Sequence, residues 1–222
     1  MGSRLKAILF DLDGTIIDTE LAAARVVVES FSEWGVQVEL SDSQFVTGRT
    51  WETAFEFLFQ KYPVSVDRAQ AQELIIQRYR EALHKELCLV PGSVAAVLEL
   101  SKSFPLALVS GSYRAEIVWA LEKLGIHRCF QVVLGAEDYE RSKPAPDGYQ
   151  KALAQLGVKP DEALVFEDSE AGIASGVTAG CWVVAIAAAN HFGHDTSKAH
   201  HRIGDLKKVT TEWVRALQLP VR

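Results

Sequence analysis

What most narrows the fold of this chain is a set of short aliphatic and β-branched runs with no alternating polar positions: KAILFD (Lys6 to Asp11), LALVS (Leu106 to Ser110), QVVLG (Gln131 to Gly135), ALVFED (Ala163 to Asp168) and CWVVAI (Cys181 to Ile186). A strand with one wet face alternates with period two, whereas a strand covered on both faces is apolar throughout, as in a parallel sheet. Stretches of helical period separate the runs, over Ser93 to Phe104, Arg114 to Leu124, Pro146 to Leu156 and Ser169 to Ala179. This order of strand and helix predicts an α/β fold with a doubly wound parallel-sheet core.

Residues 17–87 break the pattern. They carry no strand signal but several apolar stripes of helical period, such as Leu21, Val28 and Phe31, or Leu74, Ile75, Tyr79 and Leu83. The expected organisation is an α/β core from residues 1–16 and 88–222, with an all-helical insert over 17–87 that leaves the sheet just after its first strand and sits over that strand's carboxyl end. Pro91 and Gly92 punctuate the return to the core.

Ligands of open α/β sheets collect at the carboxyl ends of the strands, and there the polar residues gather: Asp11 and Asp13, Ser110, and the pair Glu167 and Asp168. Asp11 and Asp13 alone read equally well as a turn with capping side chains. Several carboxylates at one dry edge cannot all stay ionised without a cation, and hard oxygen donors in this number suit Mg²⁺. Lys143, in RSKPAPD, adds positive charge, and Ser110 with the backbone at Gly111 offers donors beside a helix start. Carboxylates, a divalent cation, a lysine and such donors together fit phosphate chemistry.

The 222 residues, 48% of them hydrophobic, suffice for a full core, and the net charge of -6 leaves no basic stripe for a nucleic-acid polymer. No apolar run reaches the roughly 20 residues of a membrane span, and Asp11 interrupts the one stretch that could serve as a signal-peptide core. Cys88, Cys129 and Cys181 are odd in number and far apart, which argues against a disulfide framework and for a reducing compartment. A cytoplasmic protein is expected, as a monomer or homodimer, with a small phosphorylated metabolite as its partner.

These motifs resemble those of the haloacid dehalogenase superfamily of phosphohydrolases, in the branch with a helical cap after the first strand, which includes phosphoglycolate phosphatase and β-phosphoglucomutase-like members. DLDGT matches the first motif, VSGS the second, Lys143 of SKPAPDGY the third and EDSEAGI the fourth, in the family's order along nearly the whole chain. The resemblance implies a Rossmann-like core, with Asp11 as the nucleophile that becomes an aspartyl phosphate and Asp13 as general acid and then base. It further implies Mg²⁺ held by Asp11, the main-chain carbonyl of Asp13, Asp168 and, directly or through water, Glu167, with Ser110, Gly111 and Lys143 on the phosphoryl group. Arg49, in the cap segment VTGRTWETAF, is then a candidate for the distal part of the substrate, though a surface ion pair explains it equally well.

A dehalogenase of this type usually lacks the second acid, so Asp13 speaks against it, and a phosphonate hydrolase would want a lysine early in the cap, where none lies between Lys6 and Lys61. A sugar-phosphate mutase shares all four motifs, yet its first motif usually ends in Gly-Val where this chain has Gly14-Thr15, and its early cap histidine is missing from DTELAAARVVVES. A non-catalytic phosphate-binding or regulatory protein is the alternative from another class. His191, His194, His200 and His201 fit no common zinc spacing and read as a polar loop, and Trp34, Trp51, Trp119, Trp182 and Trp213 read as packing residues.

Overall fold

The computed structural model describes residues 5–43, 45, 49–85, 87–191 and 193–219. Six parallel strands form one sheet: β1 (Ala7–Phe10), β2 (Leu106–Val109), β3 (Phe130–Leu134), β4 (Ala163–Glu167), β5 (Trp182–Ile186) and β6 (His201–Ile203), in the spatial order β3-β2-β1-β4-β5-β6. The chain runs outward from β1 through β2 to β3, then returns to the other side of β1 for β4, so the reversal of strand order falls beside β1. Ligand crevices of such sheets open at this reversal.

The absence of alternation in the strands has a direct cause. In β1, Ile8 and Phe10 pack into one apolar cluster with Val97 and Leu100 of α5 (Ser93–Leu100) and Ile117 of α6 (Arg114–Lys123), while Ala7 and Leu9 pack into another with Tyr149 and Leu153 of α7 (Asp147–Leu156) and Ile173 of α8 (Glu170–Thr178). Both faces of β1 are therefore dry. A terminal helix α9 (Thr211–Ala216) contributes Val214 to the first cluster.

Between β1 and α5 lie α1 (Glu20–Glu33), α2 (Leu40–Ser43), α3 (Trp51–Lys61) and α4 (Arg68–Lys85), whose inner faces form a third cluster around Val27, Phe31, Phe55, Leu58, Ile75 and Tyr79. The α4 stripe predicted by period is buried at Ile75, Tyr79 and Leu83, with Leu74 at its edge. On α1 the predicted phase is off: Leu21 is 54% exposed and Val28 half-buried, and the inward line runs through Ala23, Val27 and Phe31. Three successive valines at 26–28 leave the phase undetermined by hydrophobicity, and the packing of Phe31 against Phe59, with ring centres 5.3 Å apart and planes tilted by 30°, sets it. The two chain crossings between this segment and the sheet lie side by side, with Asp18 N donating to Cys88 O (3.0 Å) and Val90 N to Ile16 O (3.1 Å).

The histidine-rich stretch is not simply a loop. His201 opens β6, a three-residue edge strand whose polar residues conceal it from hydrophobicity. His200 Nδ1 accepts from Val183 N (3.1 Å) and His191 Nε2 meets Asp18 Oδ2 at 2.8 Å, so these two rings join segments of the fold. Trp51 and Trp182 are buried, and Trp34, Trp119 and Trp213 are half-buried against the clusters. Among the described residues no helix is long and apolar enough to cross a membrane.

Candidate active site

β1 ends at Phe10, and Asp11 follows with its N–H donating to Phe166 O of the neighbouring β4 at 3.1 Å. Leu12 then plunges into the core at 1% exposure, which forces the chain to turn, and Asp13 emerges on the far side of it. The turn depends on Gly14, whose φ of +81° lies in the left-handed region. A Cβ there would stand 2.0 Å from Asp168 Oδ2. Gly14→Ala is therefore expected to cost about 1–3 kcal/mol in urea denaturation and to abolish most activity by displacing Asp168, whereas wild-type stability and activity would refute this account of the turn.

Asp11, Glu167 and Asp168 are all buried and present carboxylate oxygens within 4.8 Å of one another. Lys143 Nζ, equally buried, donates to Asp11 Oδ1 at 2.5 Å, Glu167 Oε1 at 2.6 Å and Val109 O at 3.2 Å. Burial opposes the ammonium, but the carboxylates of Asp11 and Glu167 overcome it and hold the Lys143 pKa well above its ordinary value. Burial raises the Asp11 carboxyl well above the usual range against the pull of Lys143, and Glu167 and Asp13 add to the rise. Three carboxylates against one ammonium leave an excess of negative charge, and the donors are hard oxygens, so the set fits a divalent cation.

Glu167 has a second task. Its Oε1 also accepts from Tyr149 OH (2.9 Å), and its Oε2 accepts from the N–H groups of Asp168 (3.0 Å) and Ser169 (3.3 Å) and from Ser169 Oγ (3.2 Å). Glu167 thus locks Lys143 and the start of α8 in place. Thr15 Oγ1 donates to Asp168 Oδ1 at 3.3 Å.

Asp13 is surrounded by hydroxyls. Thr19 Oγ1 (2.9 Å) and Tyr79 OH (3.2 Å) donate to its Oδ1, and Ser110 Oγ (2.9 Å) and Ser112 Oγ (2.8 Å) donate to its Oδ2. A hydroxyl can donate to a carboxylate and accept from a carboxylic acid, so the same cage serves both protonation states. Tyr79 belongs to α4, so the helical insert reaches Asp13 directly. The insert also meets the core where Thr53 Oγ1 and Ser142 Oγ lie 2.7 Å apart, and where a Cβ on Gly111 would strike Arg49 O at 2.3 Å.

Of the residues singled out from sequence, Asp11, Lys143, Glu167 and Asp168 meet in one buried cluster, and Asp13, Ser110 and Gly111 stand beside it. Arg49 reaches the seam through its backbone, while its guanidinium lies 4.1 Å over the Phe45 ring and donates to Phe45 O at 3.3 Å. Sequence reasoning missed Thr15, Thr19, Tyr79, Ser112 and Tyr149. Ser112 had a signal in its place two residues after Ser110, but the others become site residues only through tertiary packing.

A doubly wound sheet with acids and a lysine at its reversal point, covered by a helical insert, is the frame of a hydrolytic α/β enzyme. The chain belongs to the haloacid dehalogenase-like hydrolases, whose family model matches residues 8–186. It is 31% identical over 225 residues to protein CbbY of Rhodobacter capsulatus, covering 96% of this chain and 99% of that one. To hexitol phosphatase A of Escherichia coli (strain K12) it is 33% identical over 190 residues, covering 82% and 83%. A solved structure of CbbY from Rhodobacter sphaeroides in complex with xylulose-(1,5)bisphosphate shares the fold, with a TM-score of 0.79 at 22% identity over 92% of this chain and 96% of that one. By family, this chain is an enzyme of the phosphoric monoester hydrolase class.

Proposed function

We propose that the protein is a Mg²⁺-dependent phosphatase that hydrolyses a small phosphomonoester, such as a sugar phosphate or phosphoglycolate, through a phosphorylated Asp11. The observation that carries this reading is the meeting of Asp11, Glu167, Asp168 and Lys143 in one buried cluster with Asp13 at its edge. Residues 1–16 and 88–222 serve as catalytic core and 17–87 as cap. Asp11 attacks phosphorus, the ester P–O bond breaks, and Asp13 gives its proton to the departing oxygen. Asp13 then takes a proton from water as that water attacks phosphorus, the acyl P–O bond breaks, and phosphate leaves with Asp11 restored as carboxylate. Lys143 holds charge on the transferring group, and Ser110 with the Gly111 backbone supplies further donors. Asp11, Asp168 and the main-chain carbonyl of Asp13, with Glu167 directly or through water, would hold Mg²⁺, which would supply positive charge to offset the carboxylates and the phosphoryl oxygens.

Tyr79 and Thr19, both in the insert, donate to Asp13, which favours water as acceptor because the proton carrier is then held in place. A second reading, a bisphosphate substrate, draws on the CbbY likeness, since that protein was solved with xylulose-(1,5)bisphosphate. The test of the first reading is phosphate release with Mg²⁺ from an aryl phosphate, together with β-glucose 1-phosphate incubated with a trace of its bisphosphate. Free phosphate is expected to accumulate faster than glucose 6-phosphate. No phosphate from any monoester, or glucose 6-phosphate accumulating faster, would overturn it.

A further inference from the structure

We infer that the non-reacting part of the substrate is a neutral, hydroxyl-bearing group, and that the cap seam selects against a second phosphate or a carboxylate; the inference rests on the phosphatase reading. Hydroxyl side chains meet at the seam: Thr19 and Tyr79 on Asp13, Thr50 Oγ1 3.0 Å from Thr53 Oγ1, Thr53 on Ser142, and Ser112 on Asp13. Such groups exchange hydrogen bonds with a polyol and offer no net charge to an anion.

Three arginines beside these residues, Arg80, Arg114 and Arg141, are already paired with acids. Arg80, next to Tyr79, donates through Nε to Glu116 Oε1 at 2.5 Å. Arg114, two residues after Ser112, makes a bidentate pair with Asp138 at 2.8 and 2.9 Å, and its backbone N–H points at Glu137. Arg141, next to Ser142, is held by Asp147 through Nε (3.0 Å) and Nη2 (2.7 Å). Arg49 lies on Phe45 within reach of the Glu170 charge. Exposed ion pairs are weak individually. Here, though, a phosphate could take one of these guanidiniums only by leaving its carboxylate uncompensated beside an incoming charge of about -2.

Acceptors at the seam point the same way. Glu116 Oε2 is buried with no hydrogen-bond partner among the described residues. The carboxylates of Glu52, Glu116 and Glu137 all bear on the Tyr113 hydroxyl, opposed there by Arg80. The unpartnered Glu116 Oε2 there calls for a donor. A hydroxyl brings one, whereas an ionised phosphate or carboxylate brings only more acceptors.

The experiment compares kcat/KM for sorbitol 6-phosphate, fructose 1,6-bisphosphate, phosphoglycolate and an aryl phosphate, all with Mg²⁺. Sorbitol 6-phosphate should exceed the bisphosphate and phosphoglycolate at least about tenfold, chiefly through KM. Glu116→Gln, which neutralises an acid outside the reacting cluster and releases Arg80, should narrow the gap to the bisphosphate at least about threefold. Bisphosphate or phosphoglycolate cleaved as well as the polyol ester, or a gap unmoved in Glu116→Gln, overturns the inference with the phosphatase reading intact. Failure to cleave any of the four, aryl phosphate included, defeats the phosphatase reading and the inference with it.

Discussion

Asp11→Asn should reduce turnover to below about a hundredth of wild type and leave the fold standing. The amide is nearly isosteric and keeps an oxygen for Lys143 Nζ, which lies 2.5 Å from Asp11 Oδ1. It also removes one negative charge from a cluster of three buried carboxylates, where burial first, and then the Glu167 charge, pushes the Asp11 carboxyl up. The variant's melting temperature should therefore equal or slightly exceed that of wild type when no metal is added. A second measurement separates a lost nucleophile from a merely disturbed site: acid-quenched wild type should carry phosphate on the peptide containing Asp11, and the variant none. Retention of a tenth of the activity, or phosphate trapped on a different residue, would remove Asp11 from the role proposed for it.

The parts of this fold legible in sequence are those fixed by burial on both faces. Ile8, Leu9 and Phe10 have no exposed side, so β1 reads as a continuous apolar run, and the acids that end it stand out against that background. Lys143 is legible for the opposite reason, as a charge in a turn-rich stretch whose fully buried place appears only in three dimensions. Where one face is wet the signal fades: His201–Ile203 pairs as a strand through its backbone alone, and the three valines of α1 obscure which side faces inward.

The site divides in the same way. Asp11, Asp13, Ser110, Glu167 and Asp168 announce themselves because each ends a strand run or follows it directly, and strand ends converge in a parallel sheet. The hydroxyls around Asp13 come from four places, namely the residue before α1 (Thr19), α4 (Tyr79) and two positions in the loop after β2 (Ser110 and Ser112). Tyr79 lies 66 residues from Asp13 and sits in a helical stripe that reads as core packing, which it also serves through its ring against Trp51. Periodicity cannot distinguish a buried tyrosine that only packs from one whose hydroxyl reaches a catalytic acid.

Removing the divalent cation should abolish activity, and the loss should be visible in stability as well. A ligand that binds only the folded state at 100 times its dissociation constant adds about 2.7 kcal/mol, which for a chain of this size raises the melting temperature by roughly 5–10 °C. Wild type titrated with Mg²⁺ after treatment with a chelator should show a shift of that order, because the excess negative charge of Asp11, Glu167 and Asp168 is then compensated. Asp168→Ala should erase both the shift and the activity. Asp168 gives one oxygen to Thr15 and lies against Gly14, whereas Asp11 and Glu167 each accept from Lys143. Glu167→Gln should act differently, since both Glu167 oxygens already serve Lys143, Tyr149 and the start of α8. It should lower stability without metal by loosening Lys143, yet keep a measurable Mg²⁺ shift. Full activity in chelator, or an equal Mg²⁺ shift in Asp168→Ala and wild type, would sink the metal assignment; equal loss of the shift in both variants would instead make Glu167 as direct a ligand as Asp168.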